Sequence, residues 1–158
     1  MEYVCEPDYL ALRGTAGDRP VRCGDAMVLC AEPVTKLCVR HPTLDIEELL
    51  GIAIEAVPGP AMVTYSGGPF VEICAAGVHK AGALAQVCDE LGVAAAEVIA
   101  FGDMPNDLEL LEWAGCGVAM ANAHPDVLAR ADLVTRSNEE DGVAVVVERV
   151  LAARRASA

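Results

Sequence analysis

Two carboxylates four residues apart, Asp103 and Asp107, stand where the apolar run Val98-Ile99-Ala100 passes through Phe101-Gly102 into Leu108-Glu109-Leu110-Leu111. A strand that stops at a glycine and turns into a helix is how open α/β folds build a polar site at the carboxyl edge of a sheet. Across a helix start, this spacing lets both carboxylates face that edge, where the free N–H groups of the first turn also point. Oxygen-only ligands on a tight turn suit Mg²⁺, which keeps several waters and bridges protein carboxylate to substrate phosphate. The same two residues also serve as an N-cap and a first-turn acid, stabilising the helix without any ligand.

Lys80 opens the helix that feeds this strand, an unfavourable place for a cation in the field of the helix dipole. A bound phosphate would offset it, and so would an ion pair with Asp103 or Asp107; a solvated lysine at a lobe junction is the third reading. Asn106, inside the acidic turn, either donates an amide hydrogen bond to a ligand oxygen or caps the turn. His79, just before Lys80, reads as a turn residue. No residue in this stretch offers a convincing nucleophile.

The elements that must position these groups are legible from Lys80 onward. Leu84, Val87, Cys88 and Leu91 recur at helical spacing over 80–91, and Gly92 stops that helix. A strand over 97–101, a helix beginning at Leu108, a strand at Val118-Ala119-Met120, a turn and helix from Asn122 to Ala131 and a strand at Leu133-Val134-Thr135 follow. Ser137-x-x-Glu140 is a capping box opening a last helix with Val143, Val146, Val147 and Val150 on one face. This alternation predicts a parallel α/β layer. Trp113 is expected in its core.

Earlier residues predict a different lobe: a strand at Lys36–Arg40, a helix from Leu44 to about Ala56, and strands at Ala61–Tyr65 and Phe70–Ala75 joined by Ser66-Gly67-Gly68-Pro69. Residues 1 to 30 are the least legible, with short apolar pieces broken by Gly14, Gly17, Pro20 and Gly24. The boundary falls near Gly77, giving lobes of residues 1–78 and 79–158.

The chain has 158 residues, of which 54% are hydrophobic, enough for one medium domain or two small lobes with a sizeable core. Eleven basic against twenty-four acidic side chains leave a formal charge of −13, which argues against a nonspecific grip on nucleic acid. No apolar run approaches the roughly 18 to 20 residues that span a bilayer, and residues 1–20 lack a basic start followed by an apolar block. A cytoplasmic protein with no membrane partner is expected. Seven cysteines without a CxxC pair argue against a disulfide or zinc framework; most read as small buried hydrophobes in a reducing compartment.

Together, His79-Lys80-x-x-Ala83-Leu84, Val98-Ile99-Ala100-Phe101-Gly102-Asp103-x-x-Asn106-Asp107, Gly117-Val118-Ala119-Met120-x-Asn122-Ala123 and Asp141-Gly142-Val143-Ala144 resemble one ordered set of motifs. They are similar to the carboxyl-terminal half of the haloacid dehalogenase superfamily, specifically the Cof-type phosphatases with a C2 cap inserted in the core. The resemblance covers about Lys36 to Leu151. It implies a partial Rossmann-like parallel-sheet core over 79–158, preceded over 1–78 by the later part of an α+β cap.

It also implies roles. Lys80 matches the lysine that neutralises the transferring phosphoryl group, Asp103 the aspartate that helps hold Mg²⁺, and Asn106 a substrate-facing asparagine. Asp107 matches a residue that orients Lys80 or metal-bound water, and so counts with the metal and catalytic groups. The implied ligand is a small phosphorylated metabolite such as a sugar phosphate.

The nucleophile and its acid/base partner in that family are the aspartates of an Asp-x-Asp-Gly-Thr stretch. These 158 residues contain no such stretch, and Asp8, Asp18, Asp25 and Asp45 are not preceded by an apolar strand ending in a paired acid. The expectation is a fragment that begins inside the cap and is inactive alone. Strand 97–101 would then present a bare hydrophobic edge, open to a second copy or to a complementary amino-terminal segment. A noncatalytic phosphometabolite binder and one half of a split enzyme are the alternatives.

Overall fold

A computed structural model describes residues 3–13 and 21–157, which divide into two compact units, Met1–Val63 with Gly68–Ala75, and Thr64–Gly67 with Ala76–Ala158. The breaks expected at Gly14, Gly17 and Pro20, and the acid Asp18, lie outside the described residues.

The first unit opens with β1 (Tyr3–Cys5), α1 (Pro7–Arg13), β2 (Val21–Cys23) and a short α2 (Ala26–Leu29). β1 and β2 pair in parallel. There follow β3 (Leu37–Val39), α3 (Ile46–Ala56), β4 (Ala61–Thr64) and β5 (Val71–Ala75). β5 lies between β3 and β4, antiparallel to β3. α3 starts at Ile46 because Asp45 caps it, accepting the Glu48 N–H at 2.9 Å; Leu49 and Ala53 then bury against Val71. Full burial of one such leucine contributes about 1.5–3 kcal/mol.

In this unit Lys36 Nζ donates to Glu72 Oε1 at 2.8 Å, and Glu72 is buried. That hydrogen bond holds the lysine pKa above its ordinary value. A base with a raised folded pKa stabilises the fold below its unfolded pKa, about 10.4, and the contribution is lost as pH rises through the higher folded value. Thermal unfolding midpoints should therefore fall from about pH 10 upward. Lys36→Met should flatten that decline; an unchanged profile would show the pair to be neutral.

The second unit contains α4 (Lys80–Leu91), β6 (Ile99–Gly102), α5 (Leu108–Trp113), β7 (Cys116–Ala119), α6 (Pro125–Arg130), β8 (Leu133–Val134) and α7 (Gly142–Ala156). The three strands form a parallel sheet in the order β6-β7-β8, with Phe101 opposite Val118 and Ala119 opposite Val134. This is the expected parallel α/β layer. Trp113 packs on its core, around Ala100, Leu111 and Ala114. Gly92 ends α4 in the left-handed conformation, φ 67°, where a side chain would be strained.

Three details depart from the pattern read along the chain. Of the apolar stripe read along α4, Cys88 is buried as expected, but Val87 and Leu91 are 49% and 71% exposed, and Ala81, outside that stripe, is buried. The strand expected from residue 97 starts at Ile99, because Glu97 Oε2 accepts the Ala94 N–H at 3.0 Å and closes a 3₁₀ turn over Ala95–Glu97. Ser137 and Glu140, 2.7 Å apart, likewise close a 3₁₀ turn, and α7 begins only after Asp141, φ 55°. The expectation of mostly buried cysteines is met only at Cys88. Among the described residues, no helix is long and apolar enough to cross a membrane.

Candidate active site

β6 ends at Gly102, and the chain turns through Asp103 and Met104 into the 3₁₀ turn Pro105–Asp107 and then α5. Asp107 ties that turn. Its Oδ2 accepts the N–H groups of Asp103 and Met104, both at 3.1 Å, and the residue is only 4% exposed. A Cβ at position 102 would stand 2.5 Å from the Asp107 Cβ and 3.0 Å from its Cγ. Glycine is what lets this carboxylate fold back over the end of the strand.

The other oxygen, Asp107 Oδ1, takes the ammonium of Lys80. Lys80 is the first residue of α4, so the cation unfavourably placed at a helix start has its offsetting charge. Of the partners the sequence left open, the structure brings Asp107. The pair is lopsided: the aspartate side chain is 6% exposed and that of the lysine 50%. An ammonium has three donors. With one fixed on a buried carboxylate and its outer side in solvent, Lys80 can meet a second anion.

His79 caps α4, its Nδ1 accepting the Gly82 N–H at 3.2 Å. The same nitrogen lies 2.8 Å from Glu109 Oε2, in the first turn of α5. A lone pair serves the first contact and a proton the second, so cap and cross-helix bridge are alternative states of one ring. His124 caps α6, and its backbone N–H donates to the Asp103 carbonyl at 2.8 Å, tying the acidic turn to the next loop. His124 stands outside the motifs that mark the site; Pro125 directly after it, a favoured first helical residue, is the signal that marks it as a cap. Tyr65 meets its ring edge-on, centroids 6.3 Å apart.

The Asp103 carboxylate, half-buried, has no hydrogen bond or ion pair among the described residues. In the same turn, Asn106 Oδ1 is buried with no donor to satisfy it. An orphaned acceptor of this kind costs about 1–3 kcal/mol. The unengaged Asp103 carboxylate is a hard oxygen donor, which fits a hard cation such as Mg²⁺. Among the described residues, no three His, Cys, Asp or Glu side chains converge, so an ion at Asp103 would fill its shell with water and ligand oxygens, as Mg²⁺ commonly does.

Residues 25–147, well over half of the chain, match the family model of a haloacid dehalogenase-like hydrolase. The chain belongs to that family. Among relatives of this dehalogenase-like chain, YxeH of Bacillus subtilis (strain 168) is 42% identical over 115 residues, covering 70% of this chain and 43% of YxeH. The 5-amino-6-(5-phospho-D-ribitylamino)uracil phosphatase YitU of the same organism is 51% identical over 74 residues, covering 47% of this chain and 27% of YitU. The HAD subclass IIB sugar phosphatase BT4131 overlays with a TM-score of 0.72 at 25% identity, covering 84% of this chain and 49% of that one. A protein of known structure from Eubacterium rectale gives a TM-score of 0.69 at 32% identity, covering 92% of this chain and 55% of that one.

The dehalogenase-like chain thus spans less than half the length of these curated relatives and about half of these solved structures. Its α/β fold and its Cof-type likeness agree with the expectation from the ordered motifs.

Proposed function

We propose that this chain is a carboxyl-terminal portion of a Mg²⁺-dependent Cof-type phosphatase that hydrolyses phosphate monoesters of small metabolites, sugar phosphates among them. One observation carries the reading: Lys80 is held by buried Asp107 at the carboxyl end of β6, while Asp103 and Asn106 Oδ1 in the same turn are left unengaged. The names of YitU and BT4131, a phosphoribitylaminouracil phosphatase and a sugar phosphatase, support the substrate class. On this reading residues 1–78 are the later part of the cap, residues 79–158 are the second half of the core, and the protein works in the cytoplasm.

Each residue then has one task. Asp103 holds Mg²⁺, which when bound offsets negative charge on the transferring phosphoryl group. Lys80 turns its exposed side to phosphoryl oxygens and neutralises charge that builds up there. Asp107 is a positioning residue, fixing Lys80 and the turn, and reaches the metal only through water. Asn106 presents its amide to a substrate oxygen. The attacking carboxylate comes from outside these 158 residues, since Asp-x-Asp-Gly-Thr does not occur in them.

That same absence favours a second reading, a noncatalytic phosphometabolite-binding module or one half of a split enzyme. The test is turnover of p-nitrophenyl phosphate with Mg²⁺. The 158-residue chain alone should show none, and turnover lost in Asp103→Asn would overturn the placement of the nucleophile. A fusion with the preceding half of BT4131 placed ahead of it should be active, and Asp103→Asn or Lys80→Met should each lower its kcat by about 10²–10³-fold. Ester binding by a folded fusion that never turns over would favour the binding module.

The sheet edge adds a second expectation. Among the described residues no strand pairs with β6 on the side away from β7. Ile99 and Phe101 of β6, with Val146, Val147, Val150 and Leu151 of α7, line an apolar groove of ≈ 180 Å³. Such an edge recruits strands. The isolated chain should self-associate in light scattering at micromolar concentration, and the active fusion should not; a monomeric mass for the isolated chain contradicts this.

A further inference from the structure

We propose that Cys5 and Cys23 form a reversible, redox-sensitive disulfide that staples the first β-α-β segment of the chain. The two residues are partners in the parallel register of β1 and β2, each the last of its strand, and their Sγ atoms lie 3.8 Å apart. Neighbouring strands stand about 4.8 Å apart, within the roughly 4.4–6.8 Å between Cα atoms that a disulfide spans. Side-chain rotation therefore suffices to bring the sulfurs to bonding distance.

Two further contacts hold the pair together from just beyond the strands. Gly24 N–H donates to the Cys5 carbonyl at 3.1 Å, and the Ala26 N–H at the start of α2 donates to Glu6 Oε1 at 3.3 Å. Each contact joins a residue at or next to Cys5 to one just after Cys23, so the register is fixed before any covalent bond forms. Cys23 is exposed, which gives an oxidant access to one of the two sulfurs.

The reaction balances with a low-molecular-weight disulfide such as oxidised glutathione as co-reactant. The Cys23 thiolate attacks one of its sulfurs and expels a glutathione thiolate; the Cys5 thiolate then attacks Cys23 Sγ and expels the second. Two protein thiols lose two protons and two electrons and become one disulfide, and the oxidant becomes two thiols. Excess glutathione runs the sequence backward. Oxidation closes the loop over residues 6–22, which restricts the opened chain and favours the closed segment.

The experiment is a non-reduced peptide map of the full 158-residue chain after equilibration with oxidised and reduced glutathione and alkylation of the remaining thiols. The expected product is a Cys5–Cys23 crosslink, lighter than the reduced chain by two hydrogens, retained in Cys30→Ser and reversed by reduced glutathione. Oxidised chain should also be cleaved more slowly by protease within residues 6–22. Stable glutathione on Cys23 with Cys5 alkylated, or Cys5 linked to any other cysteine, would overturn the proposal.

Discussion

Asp107→Ala is expected to destabilise the chain by about 3 kcal/mol, because it leaves two N–H groups of the acidic turn without their acceptor, at about 1–3 kcal/mol each. Those donors are on Asp103 and Met104, and Lys80 loses its anchor in the same step. Lys80 itself adds less, since its half-exposed ammonium can return to water. Asp107→Asn keeps an oxygen for the N–H groups and should fall in between. Asp103→Asn should stay within about 0.5 kcal/mol of wild type, as its carboxylate has no partner to lose. Urea unfolding followed by circular dichroism measures the first effect, and Mg²⁺ titration calorimetry completes the contrast: Asp103→Asn should lose Mg²⁺ binding at unchanged stability. If the two variants proved equally destabilised, the division between a structural and a ligand-binding carboxylate would be wrong.

Gly102→Ala should be about as damaging, near 3 kcal/mol, at the upper end of what forced overpacking costs. The added methyl would stand 2.5 Å from the Asp107 Cβ, and the group it meets is the base of the side chain that ties the turn rather than a flexible tip. Either β6 or Asp107 must move, and Lys80 goes with Asp107. A fall in the urea midpoint accompanied by faster backbone hydrogen exchange at Asp103 and Met104 is the expected signature. A variant of wild-type stability with those two amides still protected would mean that the turn relaxes around the methyl.

How much of this was legible in the residues depends on whether the cause was local. Helix α4 is legible over 80–91 because its apolar spacing and the glycine after it act within a few turns of chain. Its inward face was legible only in part, since Cys88 of the apolar stripe is buried but Val87 and Leu91 are exposed and Ala81 takes their place; which side is covered depends on neighbours far along the sequence. The capping pair Ser137 and Glu140 was legible as a pair, yet it closes a 3₁₀ turn, because Asp141 in the left-handed region separates it from α7.

The site divides the same way. The residue types and spacing of Lys80, Asp103, Asn106 and Asp107, with the order of the motifs around them, made the family legible and pointed to the chemistry proposed for it, because ligand hardness, charge and a strand-glycine-acid turn are written in adjacent residues. The sequence could not say which aspartate Lys80 would meet, nor that His124 would tie down the Asp103 carbonyl. Only the tertiary structure decided that Asp107 is consumed by its own turn and by Lys80 while Asp103 and Asn106 Oδ1 stay unengaged. The physical reason is that a carboxylate's partners are set by distance in space, and Lys80 lies 27 residues from Asp107 along the chain.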